Sequence, residues 1–229
     1  NWSSAAEPGS IPDSFTASST NDAGLVDLAA HAGKMLDCLP LNDVNIVYSE
    51  DSRYAMQYIG GNDVFRFTRL PGDDGIFTTG CVVDTPKGHV FLTKELDVKI
   101  HQGGVATSIA KGRIWDYLRS VVYTASQKKV FLTVNPSESE VWVCYPTAVN
   151  EECQYAAMWN WENDTWSFRY IADGILCGAT GILPTSQNTL EEQRLVVCSA
   201  FIGATSNGMV CLTESGTKDF GSTIFHFLD

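Results

Sequence analysis

The sequence has no apolar run approaching the ~18 residues of a membrane-spanning helix. It does not open on the charged-then-apolar pattern of a secretory signal. Basic residues are scarce: 15 Lys and Arg stand against 27 Asp and Glu, for a formal net charge of −12. A surface that grips nucleic acid by counterion release needs clustered Lys and Arg, and Lys128-Lys129 is too short to form such a patch. The acidic balance fits plain solubility, and it also fits a protein that DNA slides past without sticking. None of the seven cysteines forms a C-x-x-C pair, and the odd number is a poor disulfide framework and a poor zinc site. Most lie in apolar runs, as in Val143-Cys144-Tyr145, Val197-Cys198 and Val210-Cys211-Leu212, where free cysteine acts as a small hydrophobe. That usage implies folding in a reducing compartment, and the sequons at Asn1 and Asn163 are then chance matches.

Motifs of catalysis are missing as well. There is no G-x-S-x-G elbow and no glycine-rich phosphate loop, and Gly103-Gly104 lacks the following Lys. The four histidines, His31, His89, His101 and His226, are scattered, and none pairs with another His or Cys at ligand spacing. His226, between Phe225 and Phe227, reads as a half-exposed strand residue. Asp73-Asp74-Gly75 resembles a piece of a calcium loop without its later positions and reads first as a turn. Asp97, Glu140 and Asp164 are candidates for a glycosidase carboxylate pair, but nothing sets two of them at a required separation. The reading is a non-enzyme with no catalytic, cofactor or metal residues.

What is present is strand composition. Of 229 residues, 44% are hydrophobic and 11% aromatic, with 19 Gly, enough for one large all-β domain or two small ones. Four strands are expected between Val130 and Tyr170: Lys129 to Val134, Glu140 to Tyr145, Gln154 to Trp161 and Thr165 to Tyr170. Glu140 to Tyr145 is apolar through its middle, which predicts cover on both faces. In the last strand Trp166, Phe168 and Tyr170 alternate with Thr165, Ser167 and Arg169, predicting one buried and one wet face. Trp142, Trp159, Trp161 and Trp166 suit either a strand core or a sugar platform, and the core reading is preferred.

The remaining chain is tested against this unit. Residues 1–24 form a Ser- and Pro-rich lead-in that Trp2 and Phe15 could anchor, and residues 25–229 form the domain. Residues 25–39 are a short helix or a first strand plus loop, with a break expected at Pro40. Strands are expected at Asn45 to Tyr48, Tyr54 to Ile59, Val64 to Leu70, Ile76 to Val83, His89 to Thr93 and Asp97 to His101. A helix of two to four turns lies within Ser108 to Tyr123, and a loop spans Ala172 to Asn188. Strands follow at Gln193 to Phe201, Gly208 to Thr213 and Ser222 to Leu228, with a tight turn at Asn207-Gly208. The strands containing Val47, Val90 and Val130 fall 43 and 40 residues apart, and the next, near Val196, is 66 further on. A spacing of about 40–45 residues is that of propeller blades. The expected fold is therefore all-β, a β-propeller-like array of four-stranded antiparallel blades, with three blades and the start of a fourth. That incomplete count, and a chain beginning at Asn1 rather than Met, suit a propeller-bearing segment of a longer chain.

The pattern Asn135-Pro136, then Glu140-Val141-Trp142-Val143-Cys144-Tyr145-Pro146, then Met158-Trp159-Asn160-Trp161-Glu162-Asn163-Asp164-Thr165-Trp166-Ser167-Phe168-Arg169 resembles the tail nozzle proteins of short-tailed bacteriophages, the tail tubular protein B family. Upstream, Leu36-Asp37-Cys38-Leu39-Pro40-Leu41, Ile46-Val47-Tyr48-Ser49, Met56-Gln57-Tyr58-Ile59-Gly60, Val64-Phe65-Arg66-Phe67 and Thr107-Ser108-Ile109 before Arg113-Ile114 continue it, so it covers Ala23 to Arg169. The resemblance implies a structural virion protein of the tail, assembled in the host cytoplasm. Its partners would be further copies of itself in a ring, usually hexameric, an adaptor protein, and tail fibre or spike proteins. Genomic DNA would pass through the lumen without specific binding, and no cofactor is implied. The alternative is a carbohydrate- or receptor-binding propeller of a phage tail and, behind it, a glycan hydrolase.

Overall fold

Short polar turns cut the chain into strands that pair with their neighbours in sequence. The computed structural model describes residues 1–28, 33–185, 188–199, 210–213, 218–219 and 222–223. A first antiparallel sheet takes β1 (Met35–Leu41), β2 (Val44–Ser49), β3 (Arg53–Tyr58) and β4 (Phe65–Arg69) in sequence order. A second takes β5 (Val82–Thr85), β6 (Gly88–Leu92), β7 (Val98–His101) and β8 (Thr107–Ser108), again in order. The third has six strands: β9 (Phe131–Asn135), β10 (Glu140–Tyr145), β11 (Cys153–Asn160), β12 (Thr165–Thr185), β13 (Asn188–Ser199) and β14 (Val210–Leu212). A two-residue pair, Lys218–Asp219 with Ser222–Thr223, stands apart. The described residues are thus mostly β, in antiparallel sheets.

Turn chemistry accounts for the wiring. Between β1 and β2, Leu41 pairs with Val44, and Asn42 takes φ 53°, a left-handed conformation that its short polar side chain tolerates. Gly88 takes φ 114°, and a Cβ there would lie 2.4 Å from the His101 carbonyl oxygen. β1 runs through Pro40, where a break is expected. Among the described residues it pairs only with β2, and an edge strand can spare the missing N–H. Ile76 to Gly80 is not strand, because it bridges sheets: Ile76 N–H donates to Ser49 O and Phe77 N–H to Leu92 O, both across gaps between elements. The expected helix is α1 (Trp115–Val121), two turns long, followed by 3-10 turns to Lys129.

The first strands of the three sheets adjoin, β1 beside β5 and β5 beside β9. Gly80 ties them. Its N–H donates to Asp37 Oδ2 at 3.0 Å, and its carbonyl accepts from Leu132 N–H at 2.8 Å. One core gathers apolar side chains of all three sheets, among them Ile46, Tyr48, Phe91, Val98, Leu118, Val141, Val143 and Trp159.

A second core lies on the opposite face of β10, where Trp142 and Cys144 meet Met158, Ile171, Ile175, Leu195 and Val197. Both faces of β10 are covered, as its composition predicts. Part of this cover, Ile175, comes from the stretch expected to be loop, while Leu195 and Val197 belong to the expected strand Gln193 to Phe201. β12 continues to Thr185 and pairs with β13 from Ile175 onward, turning back over β9. The glycines there serve bending and close approach: Gly174 takes φ 65°, and a Cβ at Gly178 would lie 2.8 Å from Thr133 Oγ1. Asn207-Gly208, Phe201 and residues 224–228 of the expected strands lie outside the described residues.

The alternating face of Thr165 to Tyr170 is less buried than its pattern predicts. Trp166 packs half-buried against the first core, while Phe168 is 49% and Tyr170 54% exposed. The reason is position: among the described residues this half of β12 pairs only with β11, and no strand beyond it completes the cover. In the lead-in, Trp2 is the anchor. It pairs with Gly24, donates Nε1–H to Asp22 O at 2.7 Å and sets its ring edge-on to Phe65 at 5.3 Å, whereas Phe15 is exposed.

Trp142 is 1% exposed within the second core, so Trp142→Ala is expected to cost about 3–5 kcal/mol. Urea denaturation followed by circular dichroism measures this, and a loss below about 1 kcal/mol would contradict the assignment of that core.

Candidate functional site, a buried tyrosine and histidine seam

Among the described residues, a cluster of buried polar side chains lies where the first sheet meets the second. The turn after β6 pairs Leu92 with Val98 and, along the same register, His89 with His101. Both imidazoles therefore stand on one face of the second sheet, their ring centres 5.6 Å apart. Tyr48 of β2 enters between them. Its hydroxyl lies 2.8 Å from His89 Nδ1 and 2.6 Å from His101 Nε2.

The outer partners fix the tautomers. Gly103 N–H donates to His101 Nδ1 at 3.0 Å, so that nitrogen is bare and Nε2–H donates to the Tyr48 oxygen. His89 Nε2 lies 2.8 Å from the Pro40 carbonyl, which only accepts, so Nε2 carries the proton and Nδ1 accepts from the Tyr48 hydroxyl. The chain runs in one direction, from Gly103 through His101, Tyr48 and His89 to Pro40, and both imidazoles are neutral.

Electrostatics agree with that assignment. Burial, then the Arg53 charge and His89, push His101 down to about 3. Burial lowers His89 against the opposing pull of its Pro40 bond and Asp84. Burial raises the Tyr48 phenol. Arg53 of β3 is wholly buried. Its Nη2 donates to Pro71 O at 2.9 Å and its Nε to Asp74 O at 3.2 Å. Its guanidinium lies 5.2 Å from the centre of the Phe91 ring.

Asp73-Asp74-Gly75 forms part of the same seam. Asp74 bonds Lys99 of β7 and stands 4.0 Å from Arg53. Asp73 pairs with Arg69 at 2.6 Å. A Cβ on Gly75 would lie 2.2 Å from Ser49 O, so only glycine lets this loop touch the first sheet. Gly103-Gly104 supplies the bond to His101 and a carbonyl 3.5 Å from Arg53 Nη1. Sequence reasoning leaves His89 and His101 unconnected. Their signal was the hairpin: a turn centred on Glu95 puts them opposite each other.

The candidate carboxylates occupy separate structural posts. Asp97 is buried, accepts from Ser108 Oγ at 2.6 Å and faces Lys111 Nζ at 3.6 Å. Glu140 accepts from Trp142 Nε1 at 2.9 Å. Asp164 accepts from Trp159 Nε1 at 2.9 Å and Arg113 Nη1 at 2.8 Å, and these bonds hold its carboxyl below the usual range. Trp142, Trp159 and Trp161 are buried, and Trp166 donates Nε1–H to Ile109 O at 3.0 Å. His31 and His226 lie outside the described residues. Among the described residues no three His, Cys, Asp or Glu converge as metal ligands. The Cys81, Cys144 and Cys153 thiols are buried and raised by desolvation, Cys153 to about 12. Lys129 is spent on Glu152 at 2.7 Å.

With Tyr48 and His89 fully buried and His101 3% exposed, the arrangement is suited to fixing two sheets in one relative position. Tyr48→Phe would orphan a donor on His101 and an acceptor on His89, at an expected cost of roughly 2–4 kcal/mol, since two buried groups each lose a partner. Chemical denaturation of the pair of proteins measures it. The histidines also predict a pH dependence. Their folded-state values lie below the ordinary 6.5, so the unfolded chain binds more protons as pH falls below that value. Stability is full above about pH 6.5 and is lost toward pH 3, by at most about 1.4 kcal/mol per pH unit for each histidine. Wild type should lose about 1 kcal/mol more than His101→Gln between pH 7 and 5, after allowance for solvent screening. Equal losses would contradict the neutral assignment.

No protein-family model matches the chain, and no curated protein matches it.

Proposed function

We propose that the chain is a structural protein of a bacteriophage tail, a β-propeller segment of the nozzle through which DNA leaves the virion. The observation that carries this reading is the adjacency of the first strands of successive antiparallel sheets, β1 to β5 to β9. Blades set around an axis bring their innermost strands together in this way. The spacing of the repeat and the likeness of Asn135 to Arg169 to nozzle sequences support it. So does the use of the candidate acids and tryptophans as internal struts. In this reading the six-stranded third sheet is a blade of four strands, β9 to β11 and the first half of β12, carrying a hairpin as an added cover. The net charge of −12 suits a conduit that DNA must not bind. The partners are further copies of the chain in a ring, an adaptor, and fibre or spike proteins, with assembly in the host cytoplasm.

A second reading has one observation in its favour. Tyr117, Phe168 and Tyr170 form an aromatic ridge that is 42%, 49% and 54% exposed, and such rings can stack on sugars. A glycan array separates the two: a nozzle protein gives no specific signal, and specific binding lost in Phe168→Ala would favour a carbohydrate-binding propeller. For the first reading, negative-stain images of the full-length chain should show a six-fold ring with a central channel. A population of lone monomers would count against it.

A further inference from the structure

Cys177 of β12 and Cys198 of β13 are direct register partners. The Cα atoms of opposed residues in an antiparallel pair lie about 4.5–5.5 Å apart, within the roughly 4.4–6.8 Å that a disulfide spans. Both cysteines are free, and their thiols are in hydrogen-bonding contact. Cys177 is exposed and Cys198 half-buried, so a small reagent reaches the pair. The neighbouring residues Leu195 and Val197 face the second core, and Cys211, opposite Val197, faces that core too. The pair therefore stands on the outer face of the hairpin, opposite the face that carries Cys211.

We propose that Cys177 and Cys198 form a reversible cross-strand disulfide, a redox staple on the β12–β13 hairpin, with a low-molecular-weight disulfide such as oxidised glutathione as the oxidant. The Cys177 thiolate attacks one sulfur of the oxidant and releases one glutathione thiolate, leaving a mixed disulfide. The Cys198 thiolate then attacks Cys177 Sγ, closing the protein disulfide and releasing the second glutathione. Two protein thiols lose two electrons, and one oxidised glutathione becomes two reduced ones. Burial and the neighbouring thiol raise the Cys177 thiol above its ordinary value, so the reaction is faster at mildly alkaline pH. A bond here would hold together the hairpin that covers the second core once the protein leaves a reducing compartment. The inference rests on strand register and does not depend on the nozzle reading.

The test equilibrates wild-type protein at mildly alkaline pH across a series of reduced-to-oxidised glutathione ratios. The protein is then alkylated with iodoacetamide, and its peptides are mapped by mass spectrometry. The expected result is joint loss of alkylation at Cys177 and Cys198. A linked peptide pair lighter by two hydrogens should appear in monomeric protein, and dithiothreitol should reverse it. Cys177→Ser and Cys198→Ser should each abolish the link and leave the surviving cysteine as a glutathione adduct. Full alkylation of both residues at the most oxidising ratio would overturn the proposal, as would a bond from either one to another cysteine.

Discussion

A chain of neutral hydrogen bonds from the Gly103 amide to the Pro40 carbonyl fixes how the first sheet meets the second. Each link requires the next. The bare nitrogen of His101 needs the Gly103 N–H, and its other nitrogen needs the Tyr48 oxygen. The Tyr48 proton then has one acceptor, on His89. A carbonyl in the edge strand β1 closes the series. A one-residue slip of β2 would swing Tyr48 to the opposite face of its sheet and leave two buried imidazoles without partners. Apolar packing tolerates small displacements, and this chain does not. It therefore sets the angle at which the shared core is filled.

The two seams of the molecule differ in kind. Between first and second sheets lie Tyr48, Arg53, Asp74, His89, Lys99 and His101, all engaged in polar contacts. Between second and third, the buried links are mainly backbone and apolar, with Leu132 N–H to Gly80 O and the Cys81 thiol to Val130 O. The polar side-chain contacts there, Arg113 to Asp164 and Trp166 to Ile109 O, come from the stretch that follows β8. The polar seam specifies orientation, and the apolar seam supplies burial. Gly80 belongs to both, through Asp37 on one side and Leu132 on the other. Its φ of 79° is one that larger side chains rarely adopt, so the three first strands meet at a position where few residues can substitute.

Much of this was legible in the sequence. Turn residues and alternating patterns located β2 to β4, β6, β7, β9 to β11 and the first half of β12, while β1 was left open between helix and strand, β5 was placed too early and β8 was not expected. The apolar middle of Glu140 to Tyr145 announced two covered faces. The seam was not legible, because a histidine's partners lie in tertiary space. Tyr48 and His101 are 53 residues apart in the chain. The long half of β12 was hidden for a different reason: its glycines serve a bend and a close approach, and in sequence these look the same as a loop. The Trp166, Phe168 and Tyr170 face misled in the opposite sense. Alternation marks a sheet face without showing whether anything lies over it.

The third sheet carries this last point further. Its inner face joins the common core, and its outer face is closed by its own chain, through a hairpin that doubles back over β9. The first two sheets lack such a cover among the described residues and end in short outer strands, β4 with five residues and β8 with two. Short outer strands limit open-ended pairing with other chains. In the third sheet, the outer stretch from Thr165 to Tyr170 is longer and bears exposed aromatic rings. Among the described residues, this sheet thus closes one face with its own hairpin and leaves Phe168 and Tyr170 exposed at the part of β12 that pairs with β11.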